Sequence, residues 1–312
     1  MDSPSLAILV LCLVILSTTH PDYKTVDPYS NNRFPSPTNS DDFDLYHLAQ
    51  HPSPRPSLID FEQIQSIGHF SGLPIVAHKL IMDNPVGNLA ALPPIGGCGN
   101  RVDVVESAKH YNCSAAVNAG FFDMATGACY TWLVSNSTWV NQHGTANAFW
   151  GITRANQYIN GYLTQNTINE LVEQGELLTG LQGLTWLVRG GEVYIDESIQ
   201  REKPSKAFVK LIAPRLAVGH DKLGRFIAIQ VDGFEPAKYG VDLYDFAHLC
   251  KQQGMISAIN LDGGGSVTVL YNNQIKNSCS DACRGDILEK RCPVPYGGSK
   301  CLRKVSSFVC LK

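Results

Sequence analysis

Short apolar runs, typical of buried β-strands, recur along most of the chain. They are bounded by glycine, proline, asparagine and aspartate, which favour turns. Runs of this length and spacing predict a domain built mainly from strands. The predicted strands cover residues 78–82, 115–117, 185–188, 192–195, 216–218 and 226–231.

Helical periodicity is less frequent and occurs in three segments. These cover residues 102–111, 167–173 and 241–253. The third is the clearest, because Leu243, Phe246, Ala247 and Cys250 fall at i, i+3, i+4 and i+7 and share one helix face. Gly254 follows where a helix would end.

The clearest helix lies between two apolar runs, residues 226–231 and 255–261. Strand, helix and strand in this order predict a βαβ unit with two parallel strands and a right-handed crossover. We therefore predict a mixed α/β (α+β) fold whose mixed sheet contains at least one βαβ unit. Both runs end in aspartate followed by glycine, at Asp232 and Asp262. Since ligands bind beyond the carboxyl ends of parallel strands, these ends are the predicted active site.

Two carboxylates at neighbouring strand ends can act on a sugar as general acid and base, or as nucleophile and acid. Asp–Gly is also a common turn pair, and turn formation is the simpler interpretation for either aspartate alone. For Asp232 and Asp262 together, both interpretations stay open, and both residues are candidate catalytic residues.

Three consecutive glycines follow Asp262. Glycine lets successive backbone N–H groups point toward one anion, and a serine hydroxyl adds a further donor. We therefore predict phosphoryl binding by Gly263, Gly264, Gly265 and Ser266. The stretch is not a P-loop, because no lysine follows and the next element is a strand. A flexible hairpin loop is the alternative, although glycines within an apolar segment weaken a strand.

Further candidate binding residues stand at the ends of other predicted strands. Arg189 and Arg215 could each hold a phosphate with two hydrogen bonds, and His220 follows Arg215 in the same strand. Asn118, followed by a small pair that includes Gly120, suits hydrogen bonding to a sugar hydroxyl or a phosphoryl oxygen. A single exposed arginine is usually only part of the surface, so each signal is weak alone.

The N-terminal region differs in composition from the rest. Residues 6–16 are an apolar run followed by small polar residues, which predicts a secretory signal peptide over residues 1–20. The run is shorter than the roughly 20 residues that span a bilayer; an uncleaved anchor or a buried strand is the alternative. Residues 21–60 are rich in proline, serine, aspartate and asparagine and predict a disordered linker or propeptide. The folded domain is then predicted to span 61–312.

Composition narrows the class of protein. The net charge of −3 over 312 residues argues against nucleic acid as a partner. No stretch after the signal peptide is apolar and long enough for a membrane helix, so the mature chain is expected in the secretory lumen or outside the cell. Asn112 and Asn136 begin N-glycan acceptor sequences, which are used only in that compartment.

Cysteine usage agrees with an oxidising compartment. Without Cys12 of the signal peptide, nine cysteines remain of the ten in the chain, and disulfides are expected rather than metal ligation. Zinc at Cys279 and Cys283 is the weaker interpretation, because paired histidines and C-x-x-C spacing are missing. The odd number leaves one free thiol, for which Cys250 is the candidate because it lies mid-helix.

Five motifs occur in one order along the chain: N-A-G-F-F-D-M-x-T-G-x-C at 118–129, W-L-V-R-G-G at 186–191, R-L-A-V-G-H-D at 215–221, V-D-G at 231–233 and N-L-D-G-G-G-S at 260–266. Together they resemble the phosphodiester glycosidase family over residues 69–310. The resemblance implies hydrolysis of N-acetylglucosamine-α-1-phosphodiesters, which removes GlcNAc and exposes mannose 6-phosphate. It implies phosphorylated high-mannose glycans of lysosomal hydrolases as partners, and the Golgi lumen or secretion as location.

The resemblance also implies a disulfide pattern. Six cysteines of the chain fall at family positions, and this match implies the pairs Cys98–Cys129, Cys113–Cys310 and Cys283–Cys301. The additional Cys279 and Cys292 would then join each other and leave Cys250 free.

The chain departs from the family pattern at Ala119, Leu216, Phe234 and Thr131-Trp132. These positions put the sugar specificity in question, and two alternatives stay open. One is hydrolysis of another sugar-1-phosphodiester, and the other is a catalytically inactive secreted module that binds carbohydrate or phosphate. No cofactor and no metal-ligand set is predicted, although a divalent ion near Asp232 and Asp262 is left open.

Overall fold

The computed structural model describes residues 41–48, 57–145, 147–283, 292 and 300–312. The predicted signal peptide (1–20) lies outside these residues, as does most of the predicted linker. The strands are β1 (Asp42–His47), β2 (Ile59–Ile67), β3 (Pro74–Met82), β4 (Leu89–Leu92), β5 (Ala115–Asn118), β6 (Leu133–Ser135), β7 (Thr138–Asn141), β8 (Phe149–Thr153), β9 (Gln157–Tyr162), β10 (Leu177–Gln182), β11 (Trp186–Arg189), β12 (Glu192–Val193), β13 (Arg215–Asp221), β14 (Phe226–Val231), β15 (Met255–Asn260), β16 (Val269–Tyr271), β17 (Gln274–Ile275), β18 (Asp281–Ala282), β19 (Lys300–Cys301) and β20 (Phe308–Leu311).

Within the described ranges, five α-helices accompany the strands: α1 (Val104–Tyr111), α2 (Gln165–Glu173), α3 (Ile195–Glu202), α4 (Lys206–Lys210) and α5 (Leu243–Gln252). The three predicted helices are confirmed as α1, α2 and α5. Each begins after a side chain that accepts a main-chain N–H, namely Asp103, Thr164 and Asp242. Among the described residues, no helix is long and apolar enough to cross a membrane.

Three sheets enclose a central hydrophobic cluster. The strand orders are β1-β9-β8-β10-β6-β7, β12-β11-β15-β13-β14-β3-β2 and β17-β16-β5-β20-β4. Side chains from the inner faces of all three sheets form the central cluster, and helices cover the outer faces. Alternate residues of one strand therefore enter different cores: Leu216 and Val218 face inward, and Ala217 faces the helices. Because both faces of these strands are buried, residues that point to either face are apolar, and the strands appear in the sequence as continuous apolar runs.

The predicted sheet-rich mixed fold is confirmed, but its predicted βαβ pairing is wrong. β14 and β15 flank α5 and run in the same direction, yet they are not neighbours. β13 lies between them and forms an antiparallel ladder with each. In the described part of the chain, every strand pairing of the three large sheets is antiparallel.

The predicted linker contains an ordered strand. β1 pairs antiparallel with β9 over its six residues. Arg189 Nη2 donates to Asp42 Oδ1 at 2.7 Å and to Asp44 Oδ1 at 2.8 Å, and Arg201 Nη1 donates to Asp42 Oδ2 at 3.2 Å. The prediction of disorder is therefore wrong for this strand, whose acidic side chains bind arginines of the folded domain.

The four implied disulfides are confirmed, and Cys250 is free and buried. Cys113–Cys310 joins residues 197 positions apart in sequence. Cys279–Cys292 and Cys283–Cys301 hold the segment that follows β17 against the segment that precedes β20. This last part of the chain supplies several residues of the candidate site.

Candidate active site at one edge of the seven-stranded sheet

Three segments meet at one edge of the seven-stranded sheet. There, β14 and β15 end and β13 begins, because β13 is antiparallel to both. Arg215 at the start of β13 pairs with Val231 at the end of β14, and Leu216 O accepts the N–H of Leu261 at 2.8 Å. The residues that follow β14 and β15, Asp232 and Asp262, therefore lie at the same edge with the start of β13 between them.

Asp262 is held by contacts to both its backbone and its carboxylate. Its N–H donates to Ala119 O at 3.0 Å. Its carboxylate accepts hydrogen bonds from the Ser266 hydroxyl and the Gly263 N–H, and it lies close to the positive charge of Arg303. Burial raises the pKa of Asp262 to about 6, although Ser266, Arg303 and Gly263 act in the opposite direction. A carboxyl with such a pKa exchanges protons near neutral pH.

The glycines after Asp262 form a single 3₁₀ turn, Gly264–Ser266. Gly264 N donates to Pro214 O at 3.0 Å, and Ser266 N donates to Gly263 O at 3.2 Å. Gly263 N faces the Asp262 carboxylate, so two of the three predicted phosphoryl-binding glycine amides are used within the protein, and the Ser266 hydroxyl, predicted as a further donor, also bonds to Asp262. The turn therefore surrounds the carboxylate of Asp262 itself.

Two of the glycines are required by their surroundings. Gly264 has a φ of +58°, which side chains rarely adopt. A Cβ at Gly265 would overlap Asp281 Oδ1 and Arg303 Nη2, so the turn can approach that ion pair only without a side chain.

The ion pair beside Gly265 was not foreseen from the sequence. Arg303 Nε donates to Asp281 Oδ2 at 2.7 Å and Nη2 donates to Asp281 Oδ1 at 2.8 Å. The remaining terminal nitrogen, Nη1, donates to Ser266 Oγ at 3.3 Å. Arg303 thus connects the ion pair to the serine that binds Asp262.

A cleft of about 360 Å³ opens over this ion pair. Its lining includes Gly265, Asp281, Arg303, Glu235, Phe234 and Lys300. Lys300 Nζ lies 3.5 Å from the centre of the Phe234 ring and donates to Ser280 O at 2.9 Å. The cleft therefore brings two cations, two carboxylates and an aromatic ring together, and two of its lining residues, Gly265 and Arg303, belong to or contact the turn that follows Asp262.

Asp232, the second predicted catalytic residue, is buried and bonded on both oxygens. Oδ2 lies 3.1 Å from His78 Nε2. Oδ1 accepts from Gln230 Nε2 at 3.1 Å and from Ser278 N at 3.0 Å. These contacts tie the end of β14 to β3 and to the segment after β17. Neither Asp232 nor Asp262 is among the residues that line the cleft, but Asp262 is joined to the lining residue Arg303 through Ser266.

Comparison with known proteins identifies the family to which this architecture belongs. A family model described as phosphodiester glycosidase matches residues 111–295. The chain belongs to the phosphodiester glycosidase family. It is 34% identical over 257 residues to N-acetylglucosamine-1-phosphodiester alpha-N-acetylglucosaminidase of Mus musculus and 32% identical over 257 residues to the Homo sapiens protein of that name. Each alignment covers 78% of this chain and 47% of the relative, so the chain spans about half the length of these curated relatives.

Two solved structures match most of this chain. The zebrafish N-acetylglucosamine-1-phosphodiester alpha-N-acetylglucosaminidase catalytic domain, auto-inhibited by its pro-peptide, superposes with a TM-score of 0.75 at 31% identity. The match covers 86% of this chain and 87% of that chain. A hypothetical protein from Synechocystis has a TM-score of 0.56 at 13% identity, covering 81% and 62% of the two chains, and shares the fold.

Asn118 and Gly120 flank Ala119, whose main-chain oxygen accepts the N–H of Asp262. Asn118 is fully buried, and its side-chain nitrogen donates to the main-chain oxygen of Asp262 at 2.8 Å. Gly120 N donates to Ser307 Oγ at 2.9 Å, and a Cβ at Gly120 would overlap Thr131 Oγ1. Both residues belong to the support of the site.

Arg215 lies at the same edge, but it is buried. Its guanidinium donates to the main-chain oxygens of Phe208 at 2.9 Å, Leu211 at 2.7 Å and Val241 at 3.4 Å. Burial lowers the pKa of Arg215 to about 10, although the charges of Glu235 and Asp242 act in the opposite direction. Phosphate binding by Arg215 stays a prediction.

Arg189 and His220 are not brought to this edge. Both pair with Ser257 near the start of β15, and Asp262 follows the other end of that strand. At about 3.3 Å per residue, the separation along the strand is roughly 15 Å. His220 lies fully buried against the Tyr158 ring with a centroid distance of 4.4 Å, and burial lowers its pKa to about 4.

Other predicted positions lie away from the cleft. Asn112 and Asn136 are exposed, the first at the end of α1 and the second in the turn between β6 and β7, and glycosylation there stays a prediction. Among the described residues, no group of three or more His, Cys, Asp or Glu side chains is arranged to hold a metal ion.

Proposed function

We propose that this glycosidase hydrolyses N-acetylglucosamine-α-1-phosphodiesters in the cleft beside Asp262. The observation that supports this most directly is the position of Arg303, which contacts Ser266 and lines the cleft. The substrate is taken from the relatives, whose names specify an N-acetylglucosamine-1-phosphodiester. The active site would then lie at the ends of β14 and β15, with Asp262 rather than Asp232 as the reacting carboxylate.

Lys300 and Arg303 would bind the phosphoryl group. Lys300 has three N–H donors, and the bond to Ser280 O uses one of them. Fixed positive charge in a cleft stabilises the negative charge that develops on a departing phosphate. The carboxylate of Asp281 keeps Arg303 in place, and the ring of Phe234 supports Lys300.

Asp262 would act as a general base. The departing phosphate monoester has a second pKa of about 6, so it leaves without protonation and the site needs no strong acid. A water molecule attacks C1 of GlcNAc, and its proton passes to the Asp262 carboxylate. The bond between C1 and the phosphate oxygen breaks, and its electron pair stays with the phosphate. The products are GlcNAc and a phosphate monoester, and Asp262 then returns the proton to solvent.

The biological substrate would be the phosphorylated high-mannose glycans of lysosomal hydrolases. Removal of GlcNAc from them exposes mannose 6-phosphate. The four disulfides support a location in the secretory pathway, either the Golgi lumen or outside the cell.

A different sugar on the same phosphate is the second candidate. Phe234 departs from the family pattern, and Lys300 covers one face of its ring at 3.5 Å. A sugar ring could stack on that face only if Lys300 moved. This wall of the cleft therefore favours binding of a charged group over stacking of a sugar ring.

A panel of sugar-α-1-phosphodiesters tests both candidates and the inactive binding module. The purified protein and its Asp262→Asn variant are incubated with GlcNAc, glucose and mannose diesters of methyl phosphate, and released sugar is measured. Release of GlcNAc by the wild type but not by the Asp262→Asn variant supports the proposal. Release of another sugar supports the second candidate, and binding without release supports the inactive module. If water attacks C1 directly, the configuration at C1 is inverted. NMR should therefore show that freshly released GlcNAc is the β-anomer.

A further inference from the structure

Asn118, the last residue of β5, contacts both ends of the glycine loop, defined here as residues 262–268. Its side-chain Nδ2 donates to Asp262 O at 2.8 Å, and its Oδ1 accepts from Thr268 N at 3.0 Å. The residue is fully buried. One planar amide therefore fixes the distance between the beginning and the end of the loop.

The next residue completes the attachment of Asp262. Ala119 O accepts the N–H of Asp262 at 3.0 Å. Both polar backbone atoms of Asp262 are thus bonded to two consecutive residues, the last residue of β5 and the residue that follows it. The position of its Cα then depends on the end of β5 as well as on β15.

The exit of the loop has a second attachment of a different kind. Asn277 Oδ1 accepts from Val269 N at 2.7 Å, and Asn277 Nδ2 donates to Val267 O at 3.0 Å. These bonds hold the strand that follows the loop, without contacting Asp262. Among the described contacts, the bridge from Asp262 to Thr268 is made by Asn118.

We propose that Asn118 is a positioning residue for the reaction, which orients the Asp262 carboxylate by closing the glycine loop; this inference rests on the proposed function. The donors to that carboxylate, Gly263 N–H and Ser266 O–H, both lie inside the closed loop. If the loop opens, these donors and the carboxylate separate. Displacements of about 1 Å can reduce turnover by about 100-fold.

Opening the loop also changes the proton affinity of Asp262. Ser266 and Gly263 stabilise the ionised carboxylate, whereas burial favours the protonated form. Weaker hydrogen bonds therefore raise the pKa of Asp262. A residue that only contributed to folding would not shift this titration.

The test compares Asn118→Ser with Asn160→Ser. Asn160 is also a fully buried asparagine, but its side chain contacts His220 Nε2 at 3.2 Å, far from the loop. For Asn118→Ser we expect kcat to fall by at least about tenfold with KM within about threefold. We also expect the midpoint of the acid side of its pH profile to move to higher pH. For Asn160→Ser we expect a comparable loss of thermal stability with kcat and pH midpoint unchanged.

A second variant and a direct titration cover the cases in which Asn118→Ser does not fold or the protein shows no activity. If Asn118→Ser does not fold, Asn118→Asp keeps the acceptor for Thr268 N and removes the donor to Asp262 O, and the same fall in kcat is expected. The titration of the Asp262 carboxyl, followed by carbon-13 NMR, needs no activity. If the wild type cleaves none of the diesters, the proposed function fails, and an upward shift of this titration in the variant still supports positioning. An unshifted titration with unchanged kcat overturns the inference.

Discussion

Arg303 and Asp281 face each other with two parallel hydrogen bonds, from Nε to Oδ2 at 2.7 Å and from Nη2 to Oδ1 at 2.8 Å. Lysine cannot reproduce this two-pronged contact. We therefore expect Arg303→Lys to lower kcat/KM for the diester by about tenfold to 100-fold. The matched control is Arg225→Lys, since Arg225 forms an analogous pair with Asp221 at the other end of β13. Equal effects of the two substitutions would contradict a role for Arg303 in the reaction.

Asp262→Asn should abolish most activity and stabilise the fold at neutral pH. Burial raises the pKa of Asp262 from 3.8 to about 6, so ionisation between these values costs the folded state free energy. Protonated Asp262 makes its full contribution to the free energy of unfolding below about pH 4, and this contribution is lost as the pH rises through about 6. Thermal melting should therefore show the variant above the wild type at about pH 7.5, with no difference near about pH 4.

Asp123→Asn provides the control of opposite sign. Hydrogen bonds from Tyr130, Thr126 and Ala125 lower the pKa of Asp123 to about 2. Its contribution is present above the unfolded pKa and is lost as the pH falls toward about 2. This variant should therefore be less stable than the wild type at neutral pH. If both aspartate substitutions shifted melting in the same direction, the assignment of Asp262 would be wrong.

The activity of the wild type should depend on the same proton. A general base must be ionised, so kcat/KM is expected to decrease as the pH is lowered through about 6. The measurement is initial rate against pH with the GlcNAc diester. A rate that increases on acidification through this range would identify Asp262 as an acid instead.

Lys300→Met removes a charge from the cleft and keeps the length of the side chain. We expect KM to rise by about tenfold, the value of one charge-assisted hydrogen bond, and the salt dependence of KM to weaken. Lys276→Met is the control, because Lys276 also lies over aromatic rings, 5.5 Å from Phe61 and 5.8 Å from Tyr271, but outside the cleft lining. A larger effect from the control would exclude Lys300 from phosphate binding.

Arg189→Met should destabilise the protein by about 1–3 kcal/mol without reducing kcat. The substitution leaves Asp42 and Asp44 of β1 without their shared partner. Urea unfolding and diester hydrolysis measure the two effects, with Arg154→Met as a surface control whose Nε contacts only Gly175 O at 2.9 Å among the described residues. Lost activity at unchanged stability would instead restore the predicted phosphate-binding role of Arg189.

The local features of the site could be predicted from sequence, but its partners could not. Aspartate after a strand followed by three glycines is a local pattern, and it correctly placed Asp262 at a strand end. Arg303 and Asp281 carry no motif and lie in a cysteine-rich segment far along the chain. They reach Gly265 because the Cys283–Cys301 disulfide and the pairing of β18 with β19 bring the two parts of this segment together.

The pairing of strands was also beyond local patterns. The order of β14, α5 and β15 along the chain is compatible with adjacent parallel strands. Only the hydrogen bonds of β13 on both sides decide against it. β1 was missed for a different reason. Its residues, D-F-D-L-Y-H, alternate between polar and apolar, but the residues around them are rich in polar types and indicated a disordered linker.

The bond between Cys113 and Cys310 has a consequence for proteolytic processing. It encloses almost every residue of the candidate site, from Asn118 to Arg303, in one covalent ring. A single nick inside the ring would leave both fragments in one molecule, and the protein would run as one band until it is reduced. A cut between β1 and β2 lies outside the ring. In the described part of the chain, non-covalent contacts of residues 41–48 would retain the N-terminal fragment, and denaturant would release it without a reductant.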